Sequence, residues 1–367
     1  MMQTCVALLG RRDTPTDAVE EYCRFLGAAL TVHGYEMEIA RVAWAERGWP
    51  AALAELKREA TGWRGARVLL QYTALAWSRR GFPSRVLRVL DILRDAGARV
   101  GVVFHDPEPF AGARVVDRLR RRAQLRAMRE ALRRAQPAIF TLALDHVSWL
   151  PKQFTGATFI PVGANLPELA SLSRRQEVSG GEAGLTVAVF GVTGGANGQA
   201  EIWDIVESAR FASERVRNLR LVVMGRNAAS VEQDFRNALR GAALELRVLG
   251  VLPAAEIAEV LSQASVLLFV RGEISTRRGS AIAGIACGLP VVAFAGSETA
   301  PPVTEAGLAL YSREKSGDLS RVLLRVLSEP EYRASLAGRS RAAQERYFSW
   351  SAIAASYAQE LGKPASR

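Results

Sequence analysis

Twice along this chain, short apolar segments alternate with amphipathic ones, and no other feature restricts the possible folds as much. In the first half, β-type apolar runs stand at 5–9, 36–42, 68–72, 100–104, 138–142 and 158–162. Helix-period segments lie between them at 16–32, 50–60, 84–96 and 113–135, with a short one near 146–150. The second half repeats the plan, with strands expected at 186–190, 219–224, 245–250, 265–270 and 291–295 and helices near 199–212, 230–240, 253–263 and 280–287. This alternation builds parallel sheets with helices on both faces, so the expected fold class is α/β with two Rossmann-like domains. Three more helices, at 314–327, 330–346 and 350–361, follow the second sheet. The last, opened by Phe348-Ser349-Trp350-Ser351, is long enough to cross back over the first domain.

The polar, glycine-containing stretch from Ser171 to Gly184 has the composition of a linker. The expected organisation is an N-terminal domain at 1–170, a linker at 171–184, a C-terminal domain at 185–347 and a returning helix at 348–367. Ligands in such sheets bind beyond the carboxyl ends of the strands, so the two domains are expected to face one ligand across a cleft.

A length of 367 residues suits two domains, and 49% hydrophobic with 23% charged residues excludes a disordered tail or a coiled coil. The net charge of +11 is carried almost wholly by arginine, and it is lopsided. Residues 1–175 hold 27 Lys and Arg against 17 Asp and Glu, which leaves 21 against 20 for the rest. Such an excess reads either as a surface for phosphate or an anionic bilayer, or as solvated helices. The densest run is the helix from Arg114 to Arg134, with R-L-R-R-R at 118–122. Its Leu119, Leu125 and Leu132 are spaced to pack on the sheet while arginines ring the exposed side. Peripheral contact with an anionic membrane and plain solvation both fit. Nucleic-acid binding is not expected, because no recognition motif is present and aromatics scarcely interleave the arginines.

Cys5, Cys23 and Cys287 are too scattered for a disulfide framework or a metal site, which suits a reducing cytoplasm, at most peripheral to the inner face of the membrane. The run from Met1 to Gly10 lacks a basic region before it and reads as a first strand rather than a signal peptide. The uncharged stretch Gly279 to Ser297 is interrupted by glycines and Pro290, which favours helix, turn and strand over a membrane span.

Candidate chemistry concentrates between Ser265 and Phe294. There a strand is followed by Arg271-Gly272-Glu273-Ile274-Ser275-Thr276-Arg277-Arg278-Gly279-Ser280 and a small-residue helix ending in Ala286-Cys287-Gly288-Leu289-Pro290. A helix that starts just after a strand aims free N–H groups and a positive dipole end outward, and two arginines precede this one, which outlines a diphosphate site. The alternative is that Ser275 or Thr276 merely caps the helix.

These segments, together with Gln71-Tyr72, Ser78-Arg79-Arg80-Gly81-Phe82-Pro83, His105-Asp106, Ile160-Pro161-Val162-Gly163 and Phe348-Ser349-Trp350, resemble the retaining nucleotide-sugar glycosyltransferases of GT-B fold and family-4 type over nearly the whole chain. The resemblance implies a hexosyltransferase-type enzyme of bacterial type. It would move a sugar from a nucleotide-diphosphate donor to a hydroxyl of a glycan, lipid carrier or small molecule. No metal or cofactor is expected beyond the donor, which is a substrate. By the same resemblance His105 and Glu273 are catalytic candidates. Thr276, Arg277, Arg278, Gly279 and Ser280, with an anion nest at Gly194 and Gly195, would bind the donor diphosphate. Arg11, Arg12 and Asp13 would lie on the acceptor side.

The chain departs from the family in three places. The glycine pair of the first loop is missing, since Asp17-Ala18 stand near it. No basic residue occurs in Gly191-Val192-Thr193-Gly194-Gly195-Ala196-Asn197-Gly198, where the family places an arginine and a lysine. The family's paired glutamates fall on Ser275 and Ala283. A GT-B-fold protein that binds a sugar or partner without catalysis is therefore the alternative reading. A sugar-nucleotide epimerase finds no supporting carboxylate pair.

Overall fold

The computed structural model describes residues 2–152, 154–167, 184–315 and 317–363. The chain divides into two compact units, Met1–Val162 with Trp350–Arg367, and Gly163–Ser349. The linker expected at 171–184 lies outside the described residues except for Gly184.

The first unit is built on β1 (Gln3–Leu9), β2 (Tyr35–Arg41), β3 (Arg67–Tyr72), β4 (Arg99–Phe104), β5 (Ala138–Phe140) and β6 (Ala157–Phe159). They form one parallel sheet in the order β2-β1-β3-β4-β5-β6. Helices α1 (Ala18–Leu30), α2 (Trp44–Arg47), α3 (Trp49–Glu59), α4 (Val86–Asp95) and α5 (Val115–Arg134) cover it. Val6, Leu8, Val68, Leu70, Val102 and Phe104 of the central strands have no exposed surface and pack on Leu90 and Leu93 of α4 and Met128 of α5. Each such side chain contributes roughly 1.5–3 kcal/mol, which is why these apolar runs could be read as strands. The helix expected near 146–150 is only a single 3₁₀ turn, Leu144–His146.

One sequence expectation fails in α5. Its buried residues are Asp117, Gln124, Ala127, Met128 and Ala131, and Leu119 is 51% exposed. Leu119 is two residues from the buried Asp117, about 200° around the helix, so it cannot share that face. Leu125 and Leu132 do pack against the core.

The second unit has β7 (Thr186–Phe190), β8 (Leu219–Met224), β9 (Leu244–Gly250), β10 (Val266–Glu273), β11 (Val291–Phe294) and β12 (Leu308–Tyr311), parallel in the order β12-β11-β10-β7-β8-β9. Its helices are α6 (Ala196–Ser213), α7 (Glu232–Ala238), α8 (Ala254–Ser262), α9 (Gly279–Ala286), α10 (Asp318–Ser328) and α11 (Pro330–Ala343). Strand β12 was not expected from the sequence. Strand β10 runs past its expected end, because a bulge between Phe269 and Glu273 lets Glu273 rejoin β11 opposite Phe294. Bulges of this kind re-aim side chains at the rim of a sheet.

The final helix, α12 (Trp350–Gly362), belongs to the first unit. Trp350 stacks on Phe25 of α1 with ring centroids 5.5 Å apart, and the buried Tyr22 hydroxyl donates to the Tyr357 hydroxyl at 3.0 Å. Arg67 donates to the Lys363 carbonyl at 2.7 Å. No helix among the described residues is long and apolar enough to cross a membrane.

Candidate active site

In the first unit, sequence order reverses between β1 and β3, and the carboxyl ends of β1, β3 and β4 bring the candidate residues to one edge. Gly10 closes β1 where the chain passes so near the Ala76 carbonyl that a Cβ would overlap it, and the Arg11 amide donates to that carbonyl at 2.8 Å. Glycine is required here by contact, not by backbone sign. The N-terminus of α1 is already filled. Asp17 is its cap, accepting from the Val19 and Glu20 amides at 3.2 Å each, so the amides that a phosphate would use are taken.

Next to it lies the nearly buried Glu20. It accepts from Arg12 at 2.9 Å, Arg24 at 2.6 Å and Arg41 at 2.7 Å, and Arg41 also binds Asp17 at 3.0 Å and the Gly10 carbonyl at 2.7 Å. Burial alone would raise the Glu20 pKa, but the Arg24 hydrogen bond and the charges of Arg12 and Arg41 hold it below the usual carboxylate range. Arg12 is thus committed to an ion pair, and the Asp13 side chain accepts from the Thr14 amide. The Nε of Arg11 is buried and has no hydrogen-bond partner among the described residues. An anionic oxygen would satisfy that donor.

His105 follows β4, its amide donating to the Tyr72 carbonyl. Its Nε2 lies 2.8 Å from Oε1 of Gln71, whose own amide nitrogen donates to the Leu69 carbonyl at 3.1 Å. That second bond fixes which end of the amide faces the imidazole. The proton is therefore on Nε2, leaving Nδ1 as an acceptor. Tyr22 stands edge-on to the ring at 5.1 Å. Burial pulls the His105 pKa down to about 4, with Asp17 opposing weakly. The ring is neutral at neutral pH, a hydrogen-bonding group rather than a cation. His33 is a surface residue at the end of a 3₁₀ turn.

In the second unit, the turn between β10 and α9 carries the expected arginines. The helix cap is Arg278, and no side chain makes a capping hydrogen bond to α9. Ser275 is instead fully buried and donates to Glu298 at 3.1 Å, and Thr276 is buried beside it. Arg277 grips the same carboxylate with both prongs, at 2.9 and 2.6 Å. Burial raises the Glu298 pKa, but the Arg277 hydrogen bond and charge, the Arg278 charge and Ser275 outweigh it and hold the carboxyl low. Glu273 accepts from the Glu298 amide at 2.7 Å and from the Ser297 hydroxyl, and Gly296 lies so close that a Cβ would overlap it. Both carboxylates next to this turn therefore shape the 296–298 loop. Gly279 and Ser280 open α9, leaving its first amides and Arg278 at the strand's carboxyl end.

On the neighbouring strand, the loop after β7 leads into α6. Gly195, at φ 72°, caps α6 with no side-chain hydrogen bond, and Glu201 steadies the approach by accepting from the Thr193 amide and hydroxyl at 2.8 and 2.6 Å. Although no basic residue occurs within 191–198, a Cβ on Gly191 would lie 2.9 Å from a guanidinium nitrogen of Arg271. The bulge in β10 thus swings Arg271 over the end of the neighbouring strand, where sequence spacing offered no sign of it. Asn227 donates to the Val192 carbonyl at 3.0 Å and flanks Gly194.

No protein-family model matches the sequence, and no curated protein matches it significantly. Solved structures do. Sucrose-phosphate synthase from Thermosynechococcus elongatus superposes with a TM-score of 0.70 at 18% identity, covering 98% of each chain. Anabaena HepE in complex with UDP and glucose gives 0.66 at 14% identity, covering 98% of this chain and 99% of that one. The trehalose-phosphate synthase of Burkholderia xenovorans in complex with glucose-6-phosphate gives 0.60 at 13%, covering 98% and 100%. The chain has the GT-B fold. The candidate residues fall into two sets, His105 with the 10–13 turn in the first unit, and Arg271, Glu273, the 275–280 turn and the 194–195 loop in the second. Gln71, Tyr22, Arg41, Arg271 and Glu298 were not singled out from the sequence as site residues. The motif Gln71-Tyr72 is a visible signal for the first of them, Arg271 opens the segment of candidate chemistry without a role assigned to it, and nothing local marks Tyr22, Arg41 or Glu298.

Proposed function

We propose that this protein is a glycosyltransferase that moves a sugar from a nucleotide-diphosphate donor to a hydroxyl, with retention, and that the second unit holds the donor. The observation that carries the reading is the β10–α9 turn, where Arg278 and an uncapped helix N-terminus meet at a strand's carboxyl end, with Arg271 and the Gly194-Gly195 loop on the next strand. The fold is shared with HepE, which was solved with UDP and glucose, and this supports a nucleotide-sugar as ligand. In this scheme the positive charge that stabilises the leaving diphosphate comes from arginines and helix ends, with no metal or cofactor required. Neutral His105 offers a fixed hydrogen-bonding group for a sugar hydroxyl. Arg11 serves the acceptor side, a glycan, lipid carrier or small molecule. Glu273 is a positioning residue, because its carboxylate is engaged by the 296–298 loop. The basic first unit makes peripheral contact with an anionic membrane.

Thermal shift with UDP-, GDP-, dTDP- and ADP-sugars tests the donor. One of them at a hundredfold excess over its Kd should stabilise by about 2.7 kcal/mol, and free nucleotide should be released on incubation with acceptor. Arg278→Ala should cut turnover by roughly 10²–10³. A donor that binds without any nucleotide release would favour the non-catalytic sugar-binding protein. No shift with any donor would remove the nucleotide-sugar reading.

A further inference from the structure

The exposed apolar surface of the first unit is not scattered. Of the eleven large apolar side chains exposed among the described residues, five are Phe82, Phe110, Val115, Val116 and Leu119, at the start of α5 and on the two loops beside it. These loops are latched. Arg120 donates to the Arg80 carbonyl at 2.9 Å and to Asp117 at 2.9 Å, and its guanidinium lies 5.0 Å from the Phe110 ring and 5.9 Å from the Phe82 ring. Buried Gln124 accepts from the Phe110 amide at 2.7 Å and donates to the Gly81 carbonyl at 3.0 Å. A buried amide and an arginine are thus spent on presenting two phenylalanines to solvent in a fixed position.

Charge around this patch is predominantly basic, and the neighbouring Glu108 is engaged by the Ser148 amide and hydroxyl. Between Pro109 and Arg126 the sequence holds six arginines and one acid, and that acid, Asp117, is buried and paired with Arg120. Arg79, Arg80, Arg114, Arg118, Arg121 and Arg122 are exposed around the apolar side chains. A protein partner would need a matching acidic, apolar surface. An anionic bilayer offers phosphate oxygens at the rim and hydrocarbon beneath them, which is the complement of a basic ring around an apolar centre.

We propose that the amino-terminal turn of α5, with Phe82 and Phe110, inserts into the interface of an anionic lipid bilayer while the surrounding arginines bind lipid phosphates. The inference deepens the membrane contact stated above, adding hydrophobic insertion to charge attraction, and it is independent of sugar transfer. The test is co-sedimentation with phosphatidylcholine vesicles, with and without phosphatidylglycerol, at low and high salt. Two variants are compared with the parent, Phe110→Ser/Val115→Ser/Leu119→Ser and Arg118→Gln/Arg121→Gln/Arg122→Gln. All changed residues are exposed, and unaltered circular dichroism and thermal unfolding verify folding. The parent should bind only vesicles with anionic lipid and should keep part of that binding at high salt. The arginine variant should lose about a hundredfold in partitioning, and the apolar variant about tenfold, together with the salt-resistant part. An apolar variant that binds like the parent would overturn insertion while leaving charge attraction standing. A parent that fails to pellet at low salt, or that dimerises through this face instead, would overturn both membrane statements and leave the glycosyltransferase reading untouched. Equal binding to neutral vesicles would overturn the anionic preference.

Discussion

Lowering the pH from 7 to 5 should destabilise the first unit through His105. In the folded chain the imidazole titrates at about 4, against about 6.5 when unfolded. Between those values the unfolded chain binds a proton that the folded chain does not, so the stabilisation is fully present above pH 6.5 and is lost as pH falls towards 4. The linkage relation gives a loss of about 2 kcal/mol between pH 7 and 5, and roughly 3 kcal/mol by pH 4. Glu20 and Glu298 act lower down. Their pKa values are held below the usual range, so their contribution persists until the pH drops beneath the ordinary carboxylate value. Glu59 and Asp204, raised chiefly by burial, bind protons more readily in the folded chain and act in the opposite sense, so the histidine is isolated by difference against a His105 variant. Nitrogen NMR of the three imidazoles reads its titration and tautomer directly, and urea unfolding of the parent and His105→Gln compares the slopes. The parent should lose stability across the window where the variant does not, and His105 should remain neutral with its proton on Nε2. Titration of His105 near 6.5, or equal slopes, would refute the reasoning from burial and the Gln71 contact.

Other consequences are as specific. Arg271→Gln should weaken nucleotide diphosphate binding by about tenfold through loss of one charged contact, measured by calorimetry, with the melting temperature of the free protein unchanged. Gly10→Ala forces a Cβ onto the Ala76 carbonyl. It should cost roughly 1–3 kcal/mol in unfolding free energy and lower the thermal midpoint of the first unit.

The strands were legible because β1, β3, β4, β7 and residues 266–270 of β10 are almost wholly buried and so are written as apolar runs. Strand β12, Leu-Ala-Leu-Tyr, carries no β-branched residue and leaves Leu310 exposed, so it lacks the Val-rich signature that marks the equally short β11. Leu119 shows the limit of counting leucines. A helix face is settled by what it packs against, and the small residues Ala127 and Ala131, not Leu119, let α5 approach the sheet. At the candidate site, the β10–α9 turn could be read because its arginines and helix start are contiguous. The partners of those residues could not. Glu298 is 21 residues from Arg277, and Gln71 is 34 from His105. Arg271 reaches Gly191 only because a bulge changes its direction.

The return of α12 to the first unit has a consequence for how the chain is made. A ribosome releases residues from the amino end, so an ordinary two-domain protein completes its first domain first. Here the sheet of the first unit emerges early, but Tyr22 and Phe25 wait for Trp350 and Tyr357, which emerge after the second unit. The continuous segment Gly163–Ser349 can close before its predecessor does. During synthesis the apolar flank of α1 therefore stays open until the second unit has emerged, and a chaperone would find a surface there.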